Sequence, residues 1–506
     1  MKRDGALKSL WQDGTNQYQP TNKIDKNKTY DVIIAGGGIT GITTALLLQQ
    51  HGKSCVVVEA HNICFGTTGG TTAHLNTTFD TPFSQISKNF SDEASKLLAQ
   101  SAKDAIALIK RNARKYNIDC GFEDAWACLY AIDEKQVDVL KDIHDSANEA
   151  GVKITYTKES PVPIPFKKAA RVDGQAKFHP TKYVYSIADA FEKMGGVIVQ
   201  HCRVTGVEDN ETVQVATSDG KLQCRKFIYA THIPPGINLL HLRCAPYRSY
   251  AMAVRLKSGQ YPEALAYDMD DPYHYYRTQN VNGKDYLIAG GEDHKTGHAD
   301  NTEACFDKME KYICQYFDVE EISFKWSSQY FEPADGIPYI GHLPGSTENI
   351  LVATGFGGNG MIYSQIAAEI LLNMITDKED ARIKLLDPNR IKPVAGFTNF
   401  VKENADVAKE LIASLFTGKK IDDITAIAAG EAKMVKLEGD TMAVYRDEKN
   451  IVHSVNPTCK HMKCSVVWNS AEKSWDCPCH GARYDINGRV LTGPSDRDLD
   501  IIQLHK

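Results

Sequence analysis

"YDVIIAGGGITGITTALLLQQHGKSCVVVEA", residues 30–60, decides the fold of the larger part of this chain. An apolar run at 32–35 meets Gly36, Gly38 and Gly41 at GxGxxG spacing, a helical stretch continues to Gln50, and a second apolar run ends in Glu59. Each glycine of such a βαβ unit has a physical purpose. Gly36 permits the tight turn, Gly38 lets the backbone approach a pyrophosphate, and Gly41 lets the helix pack closely on the strand. The helix N-terminus offers unpaired N–H groups and a positive dipole end to phosphates, and Ile39 is a further candidate cofactor contact. Glu59, 18 residues beyond Gly41, is placed to accept hydrogen bonds from a ribose.

The neighbouring segments say which dinucleotide. "GTTGGTTAHL", residues 66–75, is small and rich in hydroxyls, with Thr67, Thr68, Ala73 and His74 available to wrap a cofactor. A nicotinamide dehydrogenase would usually continue into another βαβ repeat, so FAD is favoured; the plainer alternative is a hydroxyl-rich surface loop. Residues 195–209 and 226–236 look like strands with turn chemistry around them. Residues 349–375, "NILVATGFGGNGMIYSQIAAEILLNMI", then present a strand, a glycine-rich turn and a helix, with Gly355, Gly357 and Gly360 repeating the GxGxxG spacing. A separate NAD(P) site is one reading, but no second strand or terminal acidic residue follows. The expectation is that this helix folds back beside the first unit and points at the flavin ring.

The order of these motifs resembles the D-amino-acid oxidase-like superfamily of FAD-dependent oxidoreductases over about residues 28–390. The residues that carry the likeness are "IIAGGGITGITTALLL", "VVVEA", "GTTGGTTAHL", "DGIPYIG" (335–341) and "ATGFGGNGM". The resemblance implies FAD buried in the first domain and oxidation of a C–N bond, mostly of amines and amino acids, over a mixed sheet in a second domain. It places Val204 on the adenine side, Thr68, Ala73 and His74 near the flavin, and Gly360 and Met361 over its pyrimidine end. Gly70 stands where some relatives carry the histidine that bonds FAD covalently, so the expected attachment is non-covalent.

At 506 residues the chain holds two to four domains, with the 42% hydrophobic and 24% charged composition of an ordinary globular protein. A net charge of −6 gives no hint of nucleic-acid binding. The first 20 residues lack the apolar core and cleavage site of a signal peptide, which points to the cytoplasm, and no window approaches the length of a membrane span. Nine of the 13 cysteines lie singly in apolar surroundings and read as reduced core thiols.

The other four cysteines fall with two histidines inside 22 residues, in "CKHMKC" (459–464) and "CPCHGARYD" (477–485). Cys459 and His461 form C-x-H; after 15 intervening residues Cys477 and His480 form C-x-x-H. Two thiolates on one iron and two imidazoles on the other is the ligand set of a Rieske [2Fe–2S] centre. A closed structural zinc site is the competing reading, but it leaves the extra pair, Cys464 and Cys479, without a role. The stretch resembles Rieske proteins of the cytochrome bc type, whose two extra cysteines form a disulfide at positions matching Cys464 and Cys479. Their hydrogen-bonding serine is Ala482 here and their tyrosine is kept as Tyr484, which implies a potential below that of the respiratory proteins. Flanking residues alternate with hairpin turns, as in a small antiparallel domain.

The expected architecture is an α/β FAD-binding (Rossmann-like) domain with an interleaved α+β substrate domain, plus a C-terminal all-β Rieske domain. Residues 1–29 form an N-terminal extension and 30–390 the oxidoreductase domain, with FAD segments at about 30–80, 170–235 and 330–380 and a substrate segment at about 240–330. Residues 391–425 are a linker with an amphipathic docking helix at 397–416, and 426–506 the Rieske domain. Tyr273, Tyr275 and Arg277 are candidates for one strand face toward the substrate, an aromatic wall with a cation suited to a carboxylate; ordinary strand alternation is the alternative. "GGEDHKTGH" (290–298) gathers Glu292, Asp293, His294, Lys295 and His298, enough for acid/base work or for hydrogen bonding between domains; the plainer reading is a structural loop contacting the Rieske module. The combination reads as a converter from a two-electron substrate to a one-electron external acceptor, a protein or a quinone. The alternative is an electron-transfer reductase whose FAD is reduced by a protein partner. The whole resembles bacterial fusions of a D-amino-acid oxidase-like domain with a Rieske domain.

Overall fold

In the computed structural model, which describes residues 3–390, 405–407, 409, 419–420, 427–437 and 440–503, the opening motif forms strand β1 (Thr29–Ala35), helix α1 (Ile39–Gln50) and strand β2 (Cys55–Val58). β1 and β2 pair in parallel, and their branched apolar side chains are buried. The helix is apolar nearly all round because it lies under the sheet with no solvent face along most of its length. Gly36 has φ +110°, and a Cβ there would stand 2.3 Å from the Ala230 carbonyl oxygen; a Cβ on Gly41 would stand 1.9 Å from the Gly36 carbonyl oxygen. Both positions therefore require glycine.

The first sheet runs in the order 339–342, 350–354, 220–229, β1, β2, 197–199, with the hairpin 204–217 on its flank. Its central pairs are parallel. The helix Gly360–Ile375 packs against α1, so the second glycine-rich turn does fold back beside the first. The nine-stranded second sheet is mixed and takes strands from 123–177 as well as from 244–333. Two four-stranded sheets, 419–455 and 467–492, form the C-terminal part. The expected docking helix at 397–416 lies largely outside the described residues; of it, 405–407 and 409 are helical.

The N-terminal segment is more than an extension. Leu10 and Trp11 are fully buried in the main core, and Arg3 and Asp4 are sealed between the oxidoreductase domain and the C-terminal sheets. There they join a network of three arginines and three carboxylates, none more than 1% exposed. Arg3 pairs with Glu472 at 3.2 Å and with Asp4 at 3.1 Å. Arg483 pairs with Asp4 at 3.3 Å and Asp476 at 3.0 Å, and Arg248 lies 3.9 Å from both Glu472 and Asp476. Burial disfavours the Asp476 carboxylate, yet Arg483 and Arg248 hold its carboxyl below the usual range. The six charges sum to zero and come from three separate parts of the chain, so they lock the C-terminal domain against the rest.

Of the nine scattered cysteines, eight are buried and free; Cys314, on the helix Glu303–Tyr316, is exposed, a correction to the expectation that all nine are core thiols.

Candidate functional site

A cavity of about 290 Å³ begins at the N-terminus of α1. Gly36, Gly38, Ile39, Glu59, Thr67, Thr68 and Val204 line it at one end, with His74, Gly357, Gly360 and Met361 further along. Gly41, Ala73 and Gly355 do not line it; Gly41 serves the helix–strand contact, and the Ala73 carbonyl is turned toward Arg277. Glu59 accepts hydrogen bonds from the Gly37 N–H at 2.7 Å and the His61 N–H at 2.8 Å, which fixes its carboxylate at the end of β2. Thr68 Oγ1 accepts from the Ile39 N–H at 3.1 Å, and α1 has no side-chain cap at Gly38, so its first turn is left open toward the cavity. A long, glycine-floored cleft reaching the N-terminus of α1, where Gly38 brings no side chain and Thr68 takes the Ile39 N–H, suits the pyrophosphate of FAD.

Beyond the glycines the wall becomes aromatic. Tyr267, Tyr273 and Tyr275 line it with Ser249, Tyr330 and Asp293. Tyr275, and Tyr273, which precedes the strand rather than sharing its face, both line the cavity, but Arg277 does not. It continues the face of Tyr275 one step along the strand Tyr275–Val281, where residues 72–73 and the ring of Trp11 cover the sheet. Its guanidinium is fully buried and donates to the carbonyls of Thr72 (3.1 Å), Ala73 (2.5 Å) and Phe178 (3.2 Å) and to Gln279. Arg277 holds backbone together and presents no charge to the cavity. Asp293, expected in a loop, belongs to the strand Lys284–Lys295; its Oδ2 accepts from Tyr330 Oη at 2.9 Å and its Oδ1 is buried with no hydrogen-bond partner. Burial raises its carboxyl to about 7. The end of the 290–298 stretch does meet the C-terminal domain, where Gly297 packs on Pro478.

The second centre lies at the tips of two loops. Cys464 and Cys479 form a disulfide with an S–S distance of 2.01 Å, leaving Cys459 and Cys477 as free buried thiols. The rings of His461 and His480 stand 4.9 Å apart beside them. His461 Nδ1 and both ring nitrogens of His480 are buried without hydrogen-bond partners, an arrangement that is costly unless they ligate metal. Hydrogen bonding to Cys477 draws the Cys459 thiol down to about 7 against the opposing effect of burial, and Tyr484 adds to it, which favours the thiolate that iron requires. The donor set fits a [2Fe–2S] centre of two thiolates and two imidazoles.

Tyr484 Oη lies 3.2 Å from Cys459 Sγ, while Ala482 can offer no such donor. Replacing Tyr484 with Phe is expected to lower the midpoint potential. A hydrogen bond worth about 1 kcal/mol more to the reduced centre corresponds to roughly 40 mV in a one-electron couple. A titration followed by electron paramagnetic resonance (EPR) would read the change; an unaltered or raised potential would refute it.

The two sites meet. Leu491, Thr492, Gly493, Ser495 and Asp496 of the C-terminal domain form part of the wall of the first cavity. His461 Nε2 stands 3.0 Å from Nδ1 of His241, whose Nε2 lies 2.8 Å from the Pro234 carbonyl oxygen. A carbonyl can only accept, so His241 carries its proton on Nε2. Burial holds this imidazole neutral, down to about 3, leaving Nδ1 as an acceptor. His461 must then donate from Nε2, which leaves its Nδ1 bare for iron. None of these cross-domain contacts is signalled by a local motif. The ligand spacing in "CKHMKC" and "CPCHG" announces the centre and says nothing of what it docks against.

A glycine-floored cleft opening on a dinucleotide-type helix, with two thiols and two imidazoles docked beside it, defines a flavoprotein oxidoreductase that carries an iron–sulfur centre. The chain belongs to the FAD dependent oxidoreductase family, matched over residues 31–374, and its residues 419–503 match the Rieske [2Fe-2S] domain. It is 33% identical over 484 residues to YhfW of Bacillus subtilis (strain 168), a protein named for a Rieske 2Fe-2S centre, with 95% of each chain covered. It is 23% identical over 383 residues to gamma-glutamylputrescine oxidoreductase of Escherichia coli (strain K12), covering 72% of this chain and 88% of that one. Glycine oxidase from Geobacillus kaustophilus shares the fold, with a TM-score of 0.60 at 16% identity over 72% of this chain and 99% of its own. FAD and a [2Fe–2S] cluster are the cofactors of the two domains. No described helix is long and apolar enough to cross a membrane.

Proposed function

We propose that the chain oxidises a small molecule at a C–N bond of an amine or amino acid and delivers the electrons singly to an external acceptor, a protein or a quinone. When bound, FAD supplies two-electron chemistry and the Rieske cluster one-electron transfer. The observation that carries this reading is the shared wall, in which residues 491–496 of the Rieske domain and the residues of the GxGxxG unit line one cavity. We assign Gly36, Gly38, Ile39, Glu59, Thr67, Thr68, His74, Val204, Gly357, Gly360 and Met361 as FAD contacts, and Cys459, His461, Cys477 and His480 as cluster ligands.

His241 strengthens the reading. It receives the His461 hydrogen bond and passes one to Pro234, and the neighbouring Ile233 and Pro235 line the cavity. The buried arginine–carboxylate network keeps the domains in one arrangement, so packing fixes the separation of the two sites. The buried free thiols suit a reducing compartment, and we place the protein in the cytoplasm on that ground.

Anaerobic titration of the purified protein with a panel of amines and amino acids, followed by visible and EPR spectroscopy, tests the function. The expected result is bleaching of the flavin by one compound and then a reduced Rieske signal. If no compound bleaches the flavin while a chemical reductant gives both signals, small-molecule oxidation is refuted, and reduction by a protein partner takes its place.

A further inference from the structure

Among the described residues that line the substrate end of the cavity, the one group that ionises near neutral pH is an acid, Asp293. The rings of His74 and Tyr267 and those of His74 and Tyr275 are 5.4 Å apart; Tyr273 lies 5.7 Å from Tyr275 and 6.5 Å from Tyr267. Asp293 completes this wall with a carboxylate oxygen that accepts no well-formed hydrogen bond, although the Ser249 hydroxyl lies near enough to favour its charged form. Tyr330 holds the other oxygen, and Ser249 Oγ is 2.8 Å from Tyr275 Oη, so the polar groups around Asp293 are fixed in place.

No cation faces them among the described residues that line the cavity. Burial holds the imidazoles of His61 and His232 down at about 4 and that of His74 at about 3, all neutral. Arg203, the one lining residue with a permanent positive charge, sits at the dinucleotide end, 3.1 Å from the Val490 carbonyl oxygen. Arg277, the guanidinium nearest in sequence to the tyrosines, is spent on backbone carbonyls. Tyrosine faces attract cations, and a desolvated carboxylate demands a partner of opposite charge. A carboxylate placed in this end would meet the Asp293 carboxyl and no permanent cation, with only neutral groups such as the Tyr267 and Ser328 hydroxyls to receive it.

We propose that the cavity end formed by Tyr267, Tyr273, Tyr275, Tyr330 and Asp293 receives the charged ammonium group of an alkylamine, and that the substrate is an amine with no carboxylate beside that nitrogen. Asp293 is the anchor and takes the ammonium proton before oxidation, which needs the neutral amine, and the tyrosine rings enclose the alkyl carbons next to the charge. The inference rests on the reading that the chain oxidises a C–N bond, and it narrows that reading from amines and amino acids to amines.

The test uses the FAD-loaded full chain and two probes of similar shape, butylammonium and butanoate, with perturbation of the flavin absorption as the readout. Butylammonium is expected to give a saturable change, and butanoate none at the same concentrations. In Asp293→Asn the ammonium affinity is expected to fall roughly tenfold to a hundredfold, the loss of a charge-assisted hydrogen bond, with the flavin content unchanged. Asp293→Glu should recover part of it. Butanoate binding as tightly as butylammonium, no response to butylammonium, or an unchanged affinity in Asp293→Asn would each overturn the proposal. The unmutated comparison stands even if a variant fails to fold. If butylammonium binds through Asp293 but no amine reduces the flavin, the anchor stands and C–N oxidation falls. If an amino acid reduces the flavin equally well in Asp293→Asn, C–N oxidation stands and the anchor falls.

Discussion

Substituting serine for Cys477 is expected to abolish the iron–sulfur centre while leaving FAD in place. Each ligand of the proposed set is needed, because two thiolates must hold one iron and two imidazoles the other. The two remaining cysteines of the loops cannot substitute, since Cys464 and Cys479 are bonded to each other. A serine hydroxyl ionises far less readily than a thiol and is a harder donor, so it does not replace the sulfur. Iron content should fall from about two atoms per chain to near zero, and the reduced EPR signal should vanish. The flavin spectrum should persist, because Cys477 does not line the FAD cavity. Retention of a Rieske signal in Cys477→Ser would remove it from the ligand set.

Substituting glutamine for Glu472 is expected to cost about 3–5 kcal/mol of stability, the usual penalty for breaking a buried ion network by removing one partner. Glu472 is fully buried and accepts from Arg3, from the Ser327 N–H at 2.8 Å and from Ser327 Oγ at 2.9 Å. Without its charge, three arginines face two carboxylates in a region sealed from water. The loss should appear first at the domain junction. Denaturant unfolding monitored through the cluster absorbance should shift to lower concentration than in the parent protein, and transfer of reducing equivalents from flavin to cluster should slow. An unchanged unfolding midpoint would mean that the network contributes no net stability. Exposed ion pairs such as Lys8–Asp13 offer a control, for which a change below about 1 kcal/mol is expected.

Both cofactor sites were legible because each is encoded by residues close together in the chain. The GxGxxG turn works through backbone conformation and close approach, which the glycines at 36, 38 and 41 announce by themselves. The proposed cluster ligands lie on two short loops whose spacing suits that coordination. Strand alternation put Tyr275 and Arg277 on one face, and that much holds; whether a side chain on that face meets a cavity or a covering segment depends on what packs there. Trp11 and residues 72–73 cover Arg277, so a residue suited to a carboxylate became a backbone clamp.

The local chemistry of 30–60 and 459–480 was legible in the sequence itself: a glycine turn of dinucleotide-binding type and two cysteine–histidine loops with the spacing of the proposed iron ligands, while the Cys464–Cys479 pairing followed from the resemblance to Rieske proteins. Tertiary structure decided the relations between them. Residues 3, 4, 248, 472, 476 and 483 form one neutral cluster, His241 receives a hydrogen bond from His461, and Asp293 closes the aromatic end of the cavity. Periodicity and spacing report on neighbours a few residues apart. Charge compensation in a buried junction depends on groups hundreds of residues apart, and only the packed chain brings them within reach of one another.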